Sequence, residues 1–265
     1  MRLAALTAPP RWRCIDLISD LHLQPGEPAT VAAWQAYLQG TSADALFILG
    51  DLFEVWVGDD ALAPGADGFA ADCVALLRSA SGHRPVYLLH GNRDFLLGEA
   101  FAQAAGLQLL TDPCVLTAGS QRWLLSHGDA LCLADTDYQR FRTEVRSPAW
   151  QQAFLAQPLA VRQAQARALR AQSEARKRIA GADADLDAAA CRAWLASHRA
   201  DTLIHGHTHR PAAHDLGQGW TRLVLSDWDA SAHPARAEVL RLHLPPIDHH
   251  EPARCERLAP SQAVA

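Results

Sequence analysis

Seven side chains carry the chemistry this sequence has to offer: Asp20, His22, Asp51, Asn92, His127, His205 and His207. Each stands just past a short apolar run. Asp20-x-His22 follows CIDLIS (14–19), Gly50-Asp51 follows ALFIL (45–49), and His90-Gly91-Asn92 follows Val86–Leu89. His127-Gly128-Asp129 follows Trp123–Ser126, and His205-Gly206-His207 follows Thr202–Ile204. Carboxylate, amide oxygen and imidazole are the donors that hard to borderline divalent ions take. Seven are too many for one ion. With one carboxylate shared and water completing the coordination, they suit two ions about 3.5–4 Å apart, the separation of two-metal hydrolytic sites. The absence of thiolates argues against a structural zinc site.

The elements that must position these residues follow from the same pattern. The apolar runs have the length of buried strands. Between them, Thr30–Gln39 has helical spacing, with Val31, Trp34 and Leu38 on one face. Phe69–Ser79, Glu99–Ala105 (closed by Gly106) and Leu186–His198 are further helices. Trp220–Ser226 and Val239–Leu244 read as additional strands. Strands alternating with helices predict a layered α/β domain, with its chemistry beyond the carboxyl ends of the strands. That domain spans residues 14–244. It is interrupted by an Ala-, Gln- and Arg-rich insertion, 138–185, in which Pro148 and Pro158 divide two or three helices. The Pro-rich stretch 245–265 is expected to be a frayed tail.

The chain has 265 residues, 49% hydrophobic and 20% charged, which excludes a disordered chain, a collagen-like chain and a small disulfide scaffold. No apolar run approaches the roughly 18–20 residues of a membrane span. No continuous apolar stretch precedes Pro9 and Pro10, so no signal peptide is expected. The net charge of −5 is not the balance of a dedicated nucleic-acid binder. Yet Tyr138 to Ala180 holds nine basic residues against Glu144 and Glu174, so it carries +7 and the rest of the chain −12. A basic island on an acidic protein points to a local anionic partner. The six cysteines form no CxxC pair and are expected as reduced thiols.

Taken together, Asp20-x-His22, Gly50-Asp51, Gly91-Asn92, His127 and Gly206-His207 resemble the signature of the calcineurin-like metallophosphoesterases, from roughly Leu17 to Leu244. The resemblance implies a four-layer αββα sandwich with a helical lid insertion. It also implies a first ion on Asp20, His22, Asp51 and His207 and a second on Asp51, Asn92, His127 and His205. Asp51 would bridge them, and a bridging water or hydroxide would be the nucleophile. Three longer stretches, 50–60 (GDLFEVWVGDD), 91–98 (GNRDFLLG) and 205–211 (HGHTHRP), are similar to the lipid A branch of that superfamily. That similarity implies hydrolysis of the pyrophosphate bond of UDP-2,3-diacylglucosamine to UMP and 2,3-diacylglucosamine 1-phosphate. It further implies two Mn²⁺ ions and a peripheral position on the cytoplasmic face of the inner membrane, with no nucleic acid and no obligate protein partner. The substrate contacts it implies are Asn92, Arg93, Asp135, Ser173, Lys177 and His205. Past Ser173 the chain departs from the family, because Glu174 to Arg178 (EARKR) replaces an Asn- and Ser-rich stretch. Lys177 then fills the family's lysine or its asparagine position, with Arg176 and Arg178 sharing its work. His209 and Arg210 are expected to brace the last ligand loop, and Asp59, Asp60, Asp94 and Asp129 to support the ligands or their loops.

Arg93 narrows the chemistry further. Most members of the superfamily carry a histidine after the asparagine, able to protonate a leaving oxygen. A guanidinium stays charged and cannot do so near neutral pH. A phosphate leaves as a stable anion without that help, so Arg93 favours a phosphoanhydride and would clamp the charge that builds on it. Over such a site the insertion's arginines would meet diphosphate or an anionic membrane. Its apolar residues Trp150, Phe154, Leu155, Leu159 and Val161 would line a groove for acyl chains. Two rivals remain open at this stage. One is a metallophosphoesterase acting on another nucleotide diphosphate or a nucleic-acid end; the other is a catalytically silent metal-binding scaffold.

Overall fold

In strand β2 (Cys14–Ile18), Ile15 and Leu17 point to one side and Ile18 to the other. In β3 (Ala45–Leu49), Phe47 is opposed to Leu46 and Ile48, and in β4 (Val86–Leu89) Leu89 is opposed to Leu88. Both faces are apolar, as in parallel strands covered on each side. The structure, a computed structural model, describes residues 2–264 except 64, 66–67, 181–184 and 247–250; the side chains of 171–180 also lie outside the described set.

The remaining strands are β1 (Leu3–Thr7), β5 (Gln108–Ala118), β6 (Gln121–Leu125), β7 (Thr202–His205), β8 (Ala212–Gly217), β9 (Trp220–Val224), β10 (Val239–His243) and β11 (Arg254–Leu258). They form one curled sheet in the order β11-β10-β2-β3-β4-β5-β6-β7-β9-β8, with β1 alongside β5. The fold-over lies in β5. Its first residues pair parallel with β4 (Leu88 with Leu109), and its last five pair antiparallel with β6 (Cys114 with Leu125). Between the two halves lie Ile15, Leu17, Phe47, Leu89, Leu116, Leu125 and Ile204. Helices α1 (Pro28–Gly40), α2 (Gly68–Ser81) and α3 (Glu99–Ala105) cover the outer face at Ile18, Leu46, Ile48 and Leu88. On the far face, α7 (Ala188–His198) packs Cys191 and Leu195 on Leu124 and Leu203. The result is the expected four-layer αββα sandwich. Its parallel strands β2, β3 and β4, and β6 and β7, deliver their carboxyl ends to one rim.

The described part of the C-terminal stretch, from 251 to 264, is not frayed. β11 adds to β10 as an antiparallel edge, and helix α8 (Pro260–Ala263) packs against α1. A buried ion pair fixes it. Arg241 Nε and Nη2 reach the two Asp16 oxygens at 2.7 and 2.9 Å, and Nη2 also donates to the Ala263 carbonyl at 2.9 Å. Tyr37 and Thr41 hydroxyls complete the Asp16 carboxylate at 2.9 and 2.7 Å. Arg241→Met leaves Asp16 buried without its counter-charge and is expected to cost about 3–5 kcal/mol in urea denaturation. A loss under about 1 kcal/mol would contradict a structural role for the pair.

The insertion forms α4 (Thr136–Val145), α5 (Pro148–Leu155) and α6 (Leu159–Ala180), broken at the two prolines. Phe154 is buried, Trp150 stacks on it at 4.5 Å, and Leu159 also packs on the core; Leu155 and Val161 stay exposed. Four of the island's nine basic residues turn inward. Arg142 reaches Asp129 at 2.7 Å, Arg146 the Gly91 carbonyl at 2.8 Å, and Arg170 lies 3.0 Å from Glu54. Arg162, almost fully buried, binds the Val57 carbonyl and Asp60. These four arginines are taken up by the domain's own loops. Among the described residues, no helix is long and apolar enough to cross a membrane, and all six cysteines are free.

Candidate metal centre

The strand-end loops are sewn to one another through their backbones. Asp20 N–H donates to Gly50 O at 3.1 Å, His22 N–H to Asp51 O at 3.0 Å, and Gly206 N–H to His127 O at 3.1 Å. Five non-glycine residues here sit at positive φ: Asp20 (53°), His22 (48°), Asp51 (51°), His207 (67°) and His209 (53°). Each costs on the order of 1–3 kcal/mol and persists only where the surroundings enforce it, most often at functional sites. Two glycines make the approach possible. A Cβ on Gly91 would collide with the Asp51 carboxylate, and one on Gly206 with that of Asp20.

The donors fall into two adjoining groups. In the first, His209 Nε2 lies 3.2 Å from Asp20 Oδ1 and 3.3 Å from His22 Nε2. In the second, Asn92 Oδ1 lies 2.9 Å from both His127 Nε2 and His207 Nδ1. Asp51 Oδ2 stands between them, 3.8 Å from His22 Nε2 and 3.6 Å from His127 Nε2. Ligand atoms of Asp20, His22 and His209, and of Asp20, Asp51 and His127, lie within 4.8 Å of one another in each set. The ring orientations suit metal binding. His127 Nδ1 is 2.9 Å from the Leu49 carbonyl and His22 Nδ1 is 2.8 Å from Glu54 Oε2, so each ring turns Nε2 inward. An all-oxygen-and-nitrogen donor set with no sulfur fits hard to borderline divalent ions.

His205 and His209 exchange places relative to expectation. His205 is the last residue of β7, on the same side as Leu203, and so faces the outer layer. Its Nδ1 lies 2.8 Å from Gly206 O, and among the described residues no ion pair or hydrogen bond joins its ring to the other six candidates. His207 and His209 lie beyond the strand, where positive φ turns both inward. The structure therefore gathers Asp20, His22, Asp51, Asn92, His127, His207 and His209, and leaves His205 out.

Electrostatics report the same demand for positive charge. Burial would raise the Asp20 carboxyl, but His209, His127 and His22 hold it far below the usual range. Burial would lower His127, but Asp51, Asp20 and Asp129 push it up to about 9. His22 is likewise raised against burial by Glu54, Asp51 and Asp20. Asp94 goes up to about 7 through burial and the Asp51 charge, while accepting from Gly91 N–H at 2.8 Å and Leu52 N–H at 2.7 Å. It ties the second and third ligand loops together.

His90 behaves oppositely. Burial, with Arg2 and Arg146, takes it from near 6.5 down to about 3, and its Nε2 lies 2.7 Å from Leu97 O. The folded protein therefore keeps it neutral where the unfolded chain would protonate it. Its contribution is complete above about pH 6.5 and drains away as pH falls toward 3. The slope of metal-free stability against pH between 4.5 and 6.5 should drop by up to ~1.4 kcal/mol per pH unit in His90→Gln. An unchanged slope would contradict the assignment.

The other expected residues are placed as follows. Arg93 N–H donates to Asp51 Oδ1 at 2.8 Å, and its Nη1 is 3.5 Å from Glu54 Oε1. Asp135 caps α4, accepting from Tyr138 N–H at 3.0 Å. The Ser173 and Lys177 side chains lie outside the described residues. Two contributors were not legible beforehand. Glu54 touches His22, Arg93 and Arg170, and Tyr138 spans from Asp129 (2.5 Å) to the face of the His207 ring (6.1 Å). Only the long-range meeting of loop and insertion assigns them.

Residues 15–211 match the model of the calcineurin-like phosphoesterase family. The chain is 48% identical over 224 residues to a UDP-2,3-diacylglucosamine hydrolase of Stenotrophomonas maltophilia (strain K279a), covering 80% of this chain and 89% of that protein. It is 49% identical over 223 residues to the protein of that name from Chromobacterium violaceum, covering 81% and 90%. For the Pseudomonas putida (strain W619) protein, the identity is 42% over 240 residues, covering 88% and 99%. Sandwich, strand-end donors and matched sequence agree, and the chain belongs to the calcineurin-like phosphoesterase family, in the group whose curated members are called UDP-2,3-diacylglucosamine hydrolases.

Proposed function

We propose that this protein hydrolyses the pyrophosphate bond of UDP-2,3-diacylglucosamine to UMP and 2,3-diacylglucosamine 1-phosphate, in lipid A biosynthesis. The relatives' name supports the substrate. The observation that carries the chemistry is the Asp51 carboxylate standing between two converging donor sets, with Arg93 bonded to it through the backbone. Asp20, His22, Asp51 and His209 would hold one Mn²⁺, and Asp51, Asn92, His127 and His207 the other. When bound, such a pair supplies an acidified water and neutralises phosphoryl charge.

The chain's own groups do the rest. Glu54 and the Leu49 carbonyl orient the His22 and His127 rings. Arg93, which has no proton to give, clamps the departing phosphate. Residues 14–244 carry the catalytic donors, within a sheet that β1 and β11 extend, and 138–185 would form the lid, with Asp135, Ser173 and Lys177 as substrate contacts. The exposed Leu133, Phe141, Leu155, Val161 and Leu169 lie in or beside this lid. They suit the acyl chains and a peripheral seat on the cytoplasmic face of the inner membrane. The test is product analysis with Mn²⁺ and UDP-2,3-diacylglucosamine in ¹⁸O water. Water would attack the phosphorus of the UMP half, so UMP carrying the label is expected; a metal-loaded protein releasing no UMP would overturn the proposal.

Arg93→Ala should lower cleavage of the diphosphate by roughly 10²–10³-fold, the range seen on losing one transition-state donor. An activated aryl phosphodiester, whose leaving group needs less help, should lose under about tenfold. Equal losses on both substrates would remove the leaving-group role.

A further inference from the structure

Beside His22 the centre opens into a cleft of about 190 Å³, to which, among the described residues, the helical insertion contributes none. One wall is the turn entering α1, with Gln24 and Glu27; the other is the loop after β9, with Asp227 and Asp229. His22 and Glu54 also line it, so the cleft is continuous with the metal centre. Glu54 divides two flanks. Its Oε2 faces His22, while its Oε1 meets Arg170 of the insertion.

The two flanks differ in chemistry. Among the described residues, five of the six exposed large apolar side chains (all but Val264) lie on the insertion or just before it, whereas the His22 flank is polar and acidic. Arg236 is taken up by Asp227 and Asp229, at 3.0 Å each. Among the described residues the Glu27 carboxylate meets only Ser231 Oγ, at 3.4 Å, and the Gln24 carboxamide has no partner. An acidic cleft repels phosphate but accepts hydroxyl and N–H donors. A carboxamide presents a donor and an acceptor side by side, the complement of the N3–H and C=O edge of uracil. A carboxylate accepts from vicinal ribose hydroxyls.

We propose that this cleft holds the nucleoside half of the substrate, with Gln24 on the uracil edge and Glu27 on the ribose diol. The diacylglucosamine half then lies across the centre, toward the insertion. This rests on the hydrolase function above and adds to it the direction in which the substrate lies.

The test is UMP binding to the Mn²⁺-loaded protein by calorimetry, in wild type, Gln24→Ala and Glu27→Ala. Each variant is expected to raise the UMP Kd about tenfold, the size of one lost hydrogen-bond set. Each should bind 2,3-diacylglucosamine 1-phosphate and two Mn²⁺ as the wild type does, which also shows that the variants fold. Unchanged UMP affinity in both variants, or equal weakening for the lipid product, would overturn the proposal. If wild type releases UMP while the variants keep their UMP affinity, only the cleft assignment fails. A wild-type protein that neither binds nor releases UMP removes the hydrolase function itself.

Discussion

Asp51→Ala is expected to abolish turnover, by roughly 10⁴-fold or more, because residues acting as one catalytic unit fail together. The reason is positional. Asp51 Oδ2 is the atom between His22 Nε2 and His127 Nε2, while Oδ1 accepts the Arg93 N–H. One substitution therefore strips a donor from both groups and loosens the loop that carries Arg93. Asp51→Asn separates charge from geometry, since asparagine tolerates the left-handed backbone at this position. It should fold normally, bind Mn²⁺ poorly and be nearly as inactive as the alanine variant. Near-normal turnover by either variant, with both ions retained, would contradict the bridging role.

His209→Ala and His205→Ala should part company. His209 Nε2 lies within 3.3 Å of both Asp20 Oδ1 and His22 Nε2, so its loss should reduce bound metal from two ions to one and turnover by about 10²–10³-fold. His205 is fully buried behind the strand, and burial takes it down to about 4, which keeps the ring neutral. Its removal should leave two ions in place and appear as lost thermal stability from the vacated space. Metal content by mass spectrometry and a melting curve decide the matter. The reverse pattern, with His205→Ala losing an ion and His209→Ala keeping two, would return His205 to the ligand set.

The contrast between these two histidines marks how far sequence carries. The donor types and their strand-end positions were legible, because apolar runs ending in Asp, Asn or His need only local pattern. The frame of His205-Gly206-His207-Thr208-His209 was not. Three histidines at every second position all look alike until the backbone leaves the strand, and alternation fails where φ turns positive at His207 and His209. β5 was missed for a related reason. Asp112-Pro113 interrupts its apolar pattern where it crosses from one half of the sheet to the other, so neither half reads as a full strand. The tail looked frayed because its strand is half exposed and charged, and its anchor, Asp16 with Arg241, lies 225 residues apart in sequence. The inward turn of Arg142, Arg146, Arg162 and Arg170 likewise depends on Asp129, Gly91, Asp60 and Glu54, which only folding brings near.

The most direct measurement is anomalous diffraction at the manganese edge from crystals grown with Mn²⁺. Two peaks are predicted. One should be ligated by Asp20, His22, Asp51 and His209, the other by Asp51, Asn92, His127 and His207, with Asp51 common to both. A single peak, or a second ion lying outside the reach of Asp51, would contradict the account.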